Sequence, residues 1–320
     1  MTTTTTMTTT TTMTTTTTTT TNTLRLLFII FLLRLGFAAY SQDQPLFSFG
    51  VMTDVQYADR ENQGSRHYRS SLTKLHGAVR VFNEERVDFV MHLGDFINDN
   101  YNSYDTILKI TALLEMPLYF VPGNHEFAVD SYLKGKVLPL YGYQRGYQSF
   151  RKEGWRFILL DGTETSLIRS PKGSKGYEKS LKFMDELKAA GAKNAFVWNG
   201  GLSDRQFRWL KRKLNRSQRK NESVIMACHY PLLPSSATDN LFESDKVRSL
   251  IETYPEVVSW FNGHTHVSRL IEQNRISYIS FRGMVEEEEN AFAIVKVFED
   301  RLDIKGYRKE MSRIIKDKMF

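Results

Sequence analysis

Short apolar runs separated by helical patterns decide what this chain can fold into, because most of the runs end in the same few polar residue types. Residues 46–54, 88–95, 117–124, 155–161, 195–199, 223–229, 257–264, 276–281 and 291–298 each have the length and the β-branched or aromatic content of a strand. Between them, residues 69–85 set Leu72, Leu75, Val79 and Phe82 on one helical face, and 103–116 do the same with Ile107, Ile110 and Leu114. Residues 177–190 and 204–215 complete the helical set. Alternation of this kind predicts an α/β architecture with sheets covered by helices. From 275 to 307 strand follows strand across short turns, so the sheets are expected to be mixed rather than purely parallel. No repeat and no linker rich in Gly, Pro or Ser divides the chain after residue 42, which predicts one domain over 42–320.

The first 23 residues differ in kind: a threonine tract interrupted by Met7 and Met13, with nothing to bury and no periodicity. Behind it, residues 24–41 carry Arg25, an apolar block from Leu26 to Leu33 and small residues up to Ser41, the pattern of a secretory signal peptide. The expectation is export, with a mature chain that starts near Gln42 and holds no stable membrane span. A membrane anchor is the alternative, but a spanning helix needs about 20 apolar residues and Arg34 interrupts this one. The lone Cys228 excludes an intramolecular disulfide framework. Of the formal charge of +7, Arg25 and Arg34 supply two, which leaves a modest excess compatible with an anionic small-molecule substrate. The main basic run, 205–220, reads as the solvated face of a helix whose Phe207, Leu210 and Leu214 turn inward, so no nucleic-acid partner is expected. Nothing in the sequence speaks to oligomeric state.

Five segments carry the chemistry: Asp54-Val55-Gln56, Gly94-Asp95, Gly123-Asn124-His125-Glu126, Cys228-His229-Tyr230-Pro231 and Gly263-His264-Thr265-His266. Each lies at or just past the end of a predicted strand, where loops from several strands converge. Their carboxylates and amides offer hard oxygen and their imidazoles borderline nitrogen. Cys228 offers no thiolate, since neighbours in a strand point to opposite faces and His229 takes the inner one. This donor set suits Mn²⁺, Fe or Zn²⁺ rather than Ca²⁺ or a closed structural zinc site. A carboxylate such as Asp95 can bridge two ions about 3.5–4 Å apart, so the site is expected to be dinuclear. Four of the seven histidines fall in these segments, too many for an accidental collection; His67, His76 and His92 lack that context and read as structural. Gly94, Gly123 and Gly263 are either points of close backbone approach or plain turn residues. Trp198-Asn199-Gly200-Gly201 reads equally as the end of a strand or as a loop facing substrate, and no substrate-binding residue is assigned.

The ordered set D-x-Q, G-D, G-N-H-E, H and G-H-T-H resembles the calcineurin-like metallophosphoesterases, over residues 47–307. "DVQYAD", "YRSSL", "GDFIND", "GNHEF", "WNGGLSDRQFRWL" and "NGHTH" resemble more closely the branch of manganese-dependent ADP-ribose/CDP-alcohol diphosphatases. The resemblance implies a double β-sheet sandwich flanked by helices in four layers, and two divalent ions, Mn²⁺ foremost with Fe or Zn²⁺ as alternatives. It implies one ion on Asp54, Gln56 and His266, the other on Asn124, His229 and His264, with Asp95 bridging. His125 would contact the phosphate and protonate the leaving oxygen. The implied reaction is cleavage of the diphosphate bond in compounds such as ADP-ribose or CDP-alcohols by a metal-activated hydroxide. An exported phosphomonoesterase or phosphodiesterase, acting for example on a phospholipid head group, would use the same site, and a non-catalytic surface binding protein would share the fold. Gln56 stands where an imidazole is more usual. An amide in that place weakens the hold on Zn²⁺ or Fe relative to an oxygen-preferring ion, so it reads as a choice of metal.

Overall fold

Strand β1 (Phe47–Met52) shows how the alternation becomes layers: Phe47, Phe49 and Val51 point into one apolar cluster and Met52 into another. After it come α1 (Ser71–Glu84), β2 (Phe89–His92), α2 (Ser103–Thr111), β3 (Leu118–Phe120), α3 (Val137–Leu140), β4 (Gln148–Lys152), β5 (Trp155–Leu159) and α4 (Lys175–Ala189). The second half runs α5 (Asp204–Gln218), β6 (Ser223–Ala227), α6 (Ser244–Ile251), β7 (Val257–Asn262), β8 (Arg269–Gln273), β9 (Ile276–Ser280), β10 (Ala291–Val297), β11 (Arg301–Arg308) and β12 (Arg313–Lys316). The computed structural model describes residues 1–10 and 44–316. Met1 to Thr10 are exposed and carry neither helix nor strand, and the expected leader at 24–41 lies outside the described residues. No helix among the described residues is long and apolar enough to cross a membrane.

The strands form two six-stranded sheets, ordered β12-β11-β10-β1-β2-β3 and β4-β5-β6-β7-β9-β8. In the first, β1, β2 and β3 are parallel and the β10–β12 side is antiparallel. In the second, β5, β6, β7 and β9 are parallel, with β4 and β8 antiparallel at the edges. Both sheets are therefore mixed, as expected. They face each other through an aromatic lattice: Phe49 stacks on Phe89 at 4.9 Å and meets Phe157 of the opposite sheet edge-on at 5.4 Å. Helices α1 and α2 cover the outer face of the first sheet, and α5 and α6 that of the second, which completes a four-layer α/β sandwich. In α5, Leu210 and Leu214 are buried while Arg208, Lys211, Arg212 and Arg216 face solvent.

Two kinds of local reading fail. Residues 195–199, expected as a strand, are a loop, because side-chain amides take the place of a ladder. Asn194 Nδ2 donates to the carbonyl of Leu241 at 2.8 Å, and Asn199 Nδ2 donates to the carbonyls of Asn194 and Thr238 at 2.9 and 2.6 Å. The edge strands β4, β8 and β12 escape the apolar-run criterion, since an edge strand is half solvated and keeps polar side chains. Phe49→Ala, at the centre of the aromatic lattice, should cost about 3–5 kcal/mol of stability. Denaturant unfolding of variant and parent measures it, and coincident midpoints would show that the lattice does not hold the sheets together.

Candidate metal centre

Parallel strands end on the same side of a sheet, and both sheets turn that side toward one point. Asp54 and Gln56 follow β1, Asp95 follows β2, Asn124 and His125 follow β3, His229 follows β6, and His264 and His266 follow β7. The loops after β1 and β2 are knitted by Asp54 N–H to Gly94 O and Gln56 N–H to Asp95 O, each at 2.9 Å. Five of these residues sit in the left-handed region: Asp54 (φ 49°), Gln56 (40°), Asp95 (61°), His264 (68°) and His266 (55°). Each such conformation costs a side-chain-bearing residue roughly 1–3 kcal/mol, and it aims consecutive polar groups inward from one turn. The glycines are points of close approach as well as turns. A Cβ on Gly123 would strike the Asp95 carboxylate, and one on Gly263 would strike Thr53 and Asp54, although neither glycine has positive φ.

All eight residues singled out in the sequence converge. Asp95 lies in the middle, with Oδ1 accepting the His125 backbone N–H at 2.8 Å. Its Oδ2 is 3.1 Å from His229 Nε2, 3.3 Å from Gln56 Nε2 and 4.0 Å from His125 Nε2. On one side of it, His266 Nε2 is 3.2 Å from Asp54 Oδ1 and 3.1 Å from the Gln56 amide. On the other, His264 Nδ1 faces His229 Nε2 at 3.2 Å, and Asn124 borders the same cleft. That cleft, about 390 Å³, is also lined by Arg66, Trp198 and Asp239.

Each imidazole is oriented from behind. His229 Nδ1–H donates to Leu93 O at 2.8 Å and His266 Nδ1–H to Glu286 Oε1 at 2.6 Å, so the Nε2 of each turns inward. His264 is reversed: Nε2–H donates to Asn199 Oδ1 at 3.1 Å and Nδ1 turns inward. Glu126 is fully buried and accepts the N–H groups of Asp95, Phe96 and Gly123 at 2.9, 2.5 and 2.7 Å, which holds the Asp95 turn against the Asn124 turn. The sequence quoted Glu126 and Asn199 inside motifs without giving them a task. Glu286, in the polar run after Val285, carried no signal at all.

The electrostatics follow from burial and opposite charge. Burial opposes protonation of His229, but the Asp95 carboxylate beside it wins and lifts the imidazole to about 9. His266 is likewise raised to about 9 against burial, by Asp54 and Glu286. Burial raises Asp54 and Asp95 in turn, and the adjacent imidazoles more than reverse this, so both stay ionised. His264 falls to about 3 through burial and the repulsion of His229. His92 falls to about 3 through burial, and its ring packs on Phe96 and Phe120 as a structural residue. Burial pushes the Cys228 thiol up to about 12, an inert group.

The residues fit a pair of divalent ions. Gln56 Oε1 and Asn124 Oδ1 are buried with no hydrogen-bond partner, a costly state for two amide oxygens in one place, and Asp54 Oδ1 meets only His266 Nε2 at 3.2 Å. A half-turn of the Gln56 carboxamide brings its oxygen to the point that Asp95 and His266 share. Among the described residues, Asp95, His229 and His264 offer ligand atoms that all lie within 4.8 Å of one another. Oxygen and neutral imidazole, backed by a carboxylate and an amide, are the donors that Mn²⁺, Fe or Zn²⁺ accept.

Residues 47–268 match the model of the calcineurin-like phosphoesterase family. A protein of Homo sapiens named manganese-dependent ADP-ribose/CDP-alcohol diphosphatase is 31% identical, over 87% of this chain and 95% of its own. Its namesake in Xenopus tropicalis is 30% identical, over 82% of this chain and 92% of its own. Among solved structures, a dimetal phosphatase from Danio rerio superposes with a TM-score of 0.76 at 26% identity, covering 86% of this chain and all of that one. The matched span contains all eight converging residues and crosses from one sheet to the other: the chain belongs to the calcineurin-like phosphoesterase family.

Proposed function

We propose that this hydrolase of phosphate bonds works with manganese and splits the diphosphate bond of nucleoside diphosphate-linked compounds of the ADP-ribose and CDP-alcohol class. The observation that carries the reading is the double donor set around Asp95, with the buried amide oxygens of Gln56 and Asn124 lacking any hydrogen-bond partner. The names of the similar human and frog proteins support the substrate class. Asp54, Gln56 and His266 would hold one ion and Asn124, His229 and His264 the other, with Asp95 between them. When bound, such a pair lowers the pKa of water and neutralises charge on an in-line phosphoryl group.

The chain's own residues do the rest. Leu93, Glu286 and Asn199 orient the three imidazoles so that Nε2 of His229 and His266 and Nδ1 of His264 face the site. His125 Nδ1–H donates to Asn98 O at 2.5 Å, which fixes the ring and leaves Nε2 at the cleft. In its cationic form His125 hands the Nε2 proton to the bridging oxygen as that oxygen departs, an effect typically worth 10²–10⁴-fold.

The test is a hydrolysis screen of ADP-ribose, CDP-choline and p-nitrophenyl phosphate with Mn²⁺, Mg²⁺, Zn²⁺ and Fe²⁺. The two diphosphates with Mn²⁺ should lead; a dominant monoesterase activity would overturn the substrate class. Asp95→Ala should lose both activity and bound metal while keeping its circular dichroism, whereas His125→Ala should keep the metal and lose roughly 10²-fold or more in turnover. Metal loss in His125→Ala would remove it from the proton-donor role.

Metal uptake should depend on pH. His229 and His266, raised to about 9, are protonated at neutral pH without metal, and an ion can bind only where a proton leaves. Affinity for Mn²⁺ should therefore rise with pH up to about 9, by up to about tenfold per unit for each displaced proton. Titration of the metal-free protein at pH 6, 7 and 8 reads this directly, and a flat affinity would rule out both imidazoles as ligands. The leader pattern at 24–41 supports export, for which the expected outcome is a secreted chain starting near Gln42; an uncleaved N-terminus in a membrane fraction would favour an anchor.

A further inference from the structure

A cavity of about 580 Å³ lies apart from the metal centre and shares no lining residue with the cleft around Asp95. Its walls come from two segments, 134–144 and 169–171. With the flanking Arg145 and Lys172, these segments carry five cations, Lys134, Lys136, Arg145, Arg169 and Lys172, and no Asp or Glu. Among the described residues only Arg169 of the five is ion-paired, to Asp161 Oδ2 at 3.0 Å. The adjoining cavity, of about 390 Å³, shares Ser170 with it and is lined by both signs: Lys179 and Lys182 stand among Glu164, Glu186, Asp204 and Glu243. A lining of one sign is thus a property of this place and not of the whole chain.

Two of the cations line the cavity itself, and both are held in position. Lys134 Nζ donates to Ile168 O at 2.6 Å, and burial lowers its pKa with no carboxylate to oppose the shift. An ammonium drawn partly out of water without a counter-charge is an unfavourable arrangement that a bound anion relieves. The Arg169 guanidinium stacks on the Phe127 ring at 4.0 Å, and its Nη1 donates to Asp161 Oδ2 and Thr163 Oγ1 at 3.0 and 2.7 Å. Its Nε and Nη2 make no hydrogen bond among the described residues, so a fixed guanidinium keeps donors to spare. The rest of the wall is largely apolar, with Leu138, Pro139, Tyr143 and Pro171. A few fixed polar groups in a concave apolar wall of several hundred cubic ångström are the usual make-up of a small-molecule site.

We propose that this cavity is a second ligand site and that it takes a small phosphate ester. The phosphoryl group lies between the Lys134 ammonium and the spare donors of Arg169, and the organic part lies against Leu138, Pro139, Tyr143 and Pro171. The phosphoryl chemistry follows from the charge. Even with Asp161 set against Arg169, four positive charges remain on the two segments and their flanks, which favours a dianion over a single carboxylate. The ester follows from the volume, because a bare phosphate ion would leave the apolar wall uncovered. The site needs neither the metal pair nor the substrate proposed above.

Asp95→Ala, which should hold no metal and keep its fold, separates this site from the metal centre. Titrated calorimetrically with CMP as the probe, it should bind one equivalent. Inorganic phosphate should bind about tenfold more weakly than CMP, and cytidine should not bind. Lys134→Met in the same background should weaken CMP by about tenfold or more, the loss of one charge-assisted contact, and Lys134→Arg should restore it. In the Mn²⁺-loaded chain, where nothing depends on how Asp95→Ala folds, Lys134→Met should show the same loss at one CMP site and hydrolyse CDP-choline at the parental rate. Unchanged CMP binding in Lys134→Met would overturn the proposal, and so would cytidine that binds as tightly as CMP. Inorganic phosphate as tight as CMP would overturn the ester and leave a free-anion site. A parent chain that binds CMP here and fails to hydrolyse CDP-choline would remove the function proposed above and leave this site standing.

Discussion

Two carboxylates, Asp54 and Asp95, are held out of water at the seam between the sheets, and the rest of the site answers to that fact. An unpaired buried carboxylate is expensive, by several kcal/mol or more, so positive charge has to stand on both sides of Asp95. One oxygen of each is occupied by local donors: Thr53 Oγ1–H and the His264 N–H on Asp54 Oδ2, and the His125 N–H on Asp95 Oδ1. The remaining oxygens face imidazole nitrogens whose other side is already engaged. Protons on His229 and His266 supply the charge in the absence of metal, at the positions where two ions would supply it more strongly.

Such a centre is held only by a scaffold that tolerates strain at the ends of its strands. Five left-handed residues at roughly 1–3 kcal/mol each are a load that a marginally stable domain carries only with a large core behind it. Here the load falls on parallel strands at the middle of two sheets, β1 and β2 in one and β7 in the other, with the Phe49, Phe89 and Phe157 lattice between them. Glu126 adds a second restraint by binding three N–H groups of adjacent turns. Rigidity in these loops is what lets buried oxygens stand unpartnered at fixed positions.

Much of this was legible in the chain because buried central strands read as apolar runs and their functional residues sit at the run ends. The eight residues singled out in the sequence lie together around Asp95, joined by Glu126, Asn199 and Glu286, whose tasks were not legible there. The edge strands β4, β8 and β12 were not legible, since half-solvated strands lose the apolar signal. The segment 195–199 misled for the opposite reason: Ala195-Phe196-Val197-Trp198 is as apolar as a strand, yet the amides of Asn194 and Asn199 take up the local carbonyls and the side chains of Phe196, Val197 and Trp198 are exposed. Glu286 is 20 residues from the His266 it orients, inside an acidic run indistinguishable from a solvated loop.

The sequence by itself determined the donor inventory, its order along the chain and the layered α/β class, because strand periodicity and the residue types at strand ends are local properties. It also determined that position 56 offers an amide in place of an imidazole. Only the tertiary structure decided which nitrogen of each imidazole turns inward, since that depends on partners as distant as Leu93, Asn199 and Glu286. Only the tertiary structure, too, turned Gly123 and Gly263 from candidate turn residues into required points of close approach. Contacts across long stretches of chain leave no periodic trace, and they become visible only once the two sheets have brought their strand ends to one place.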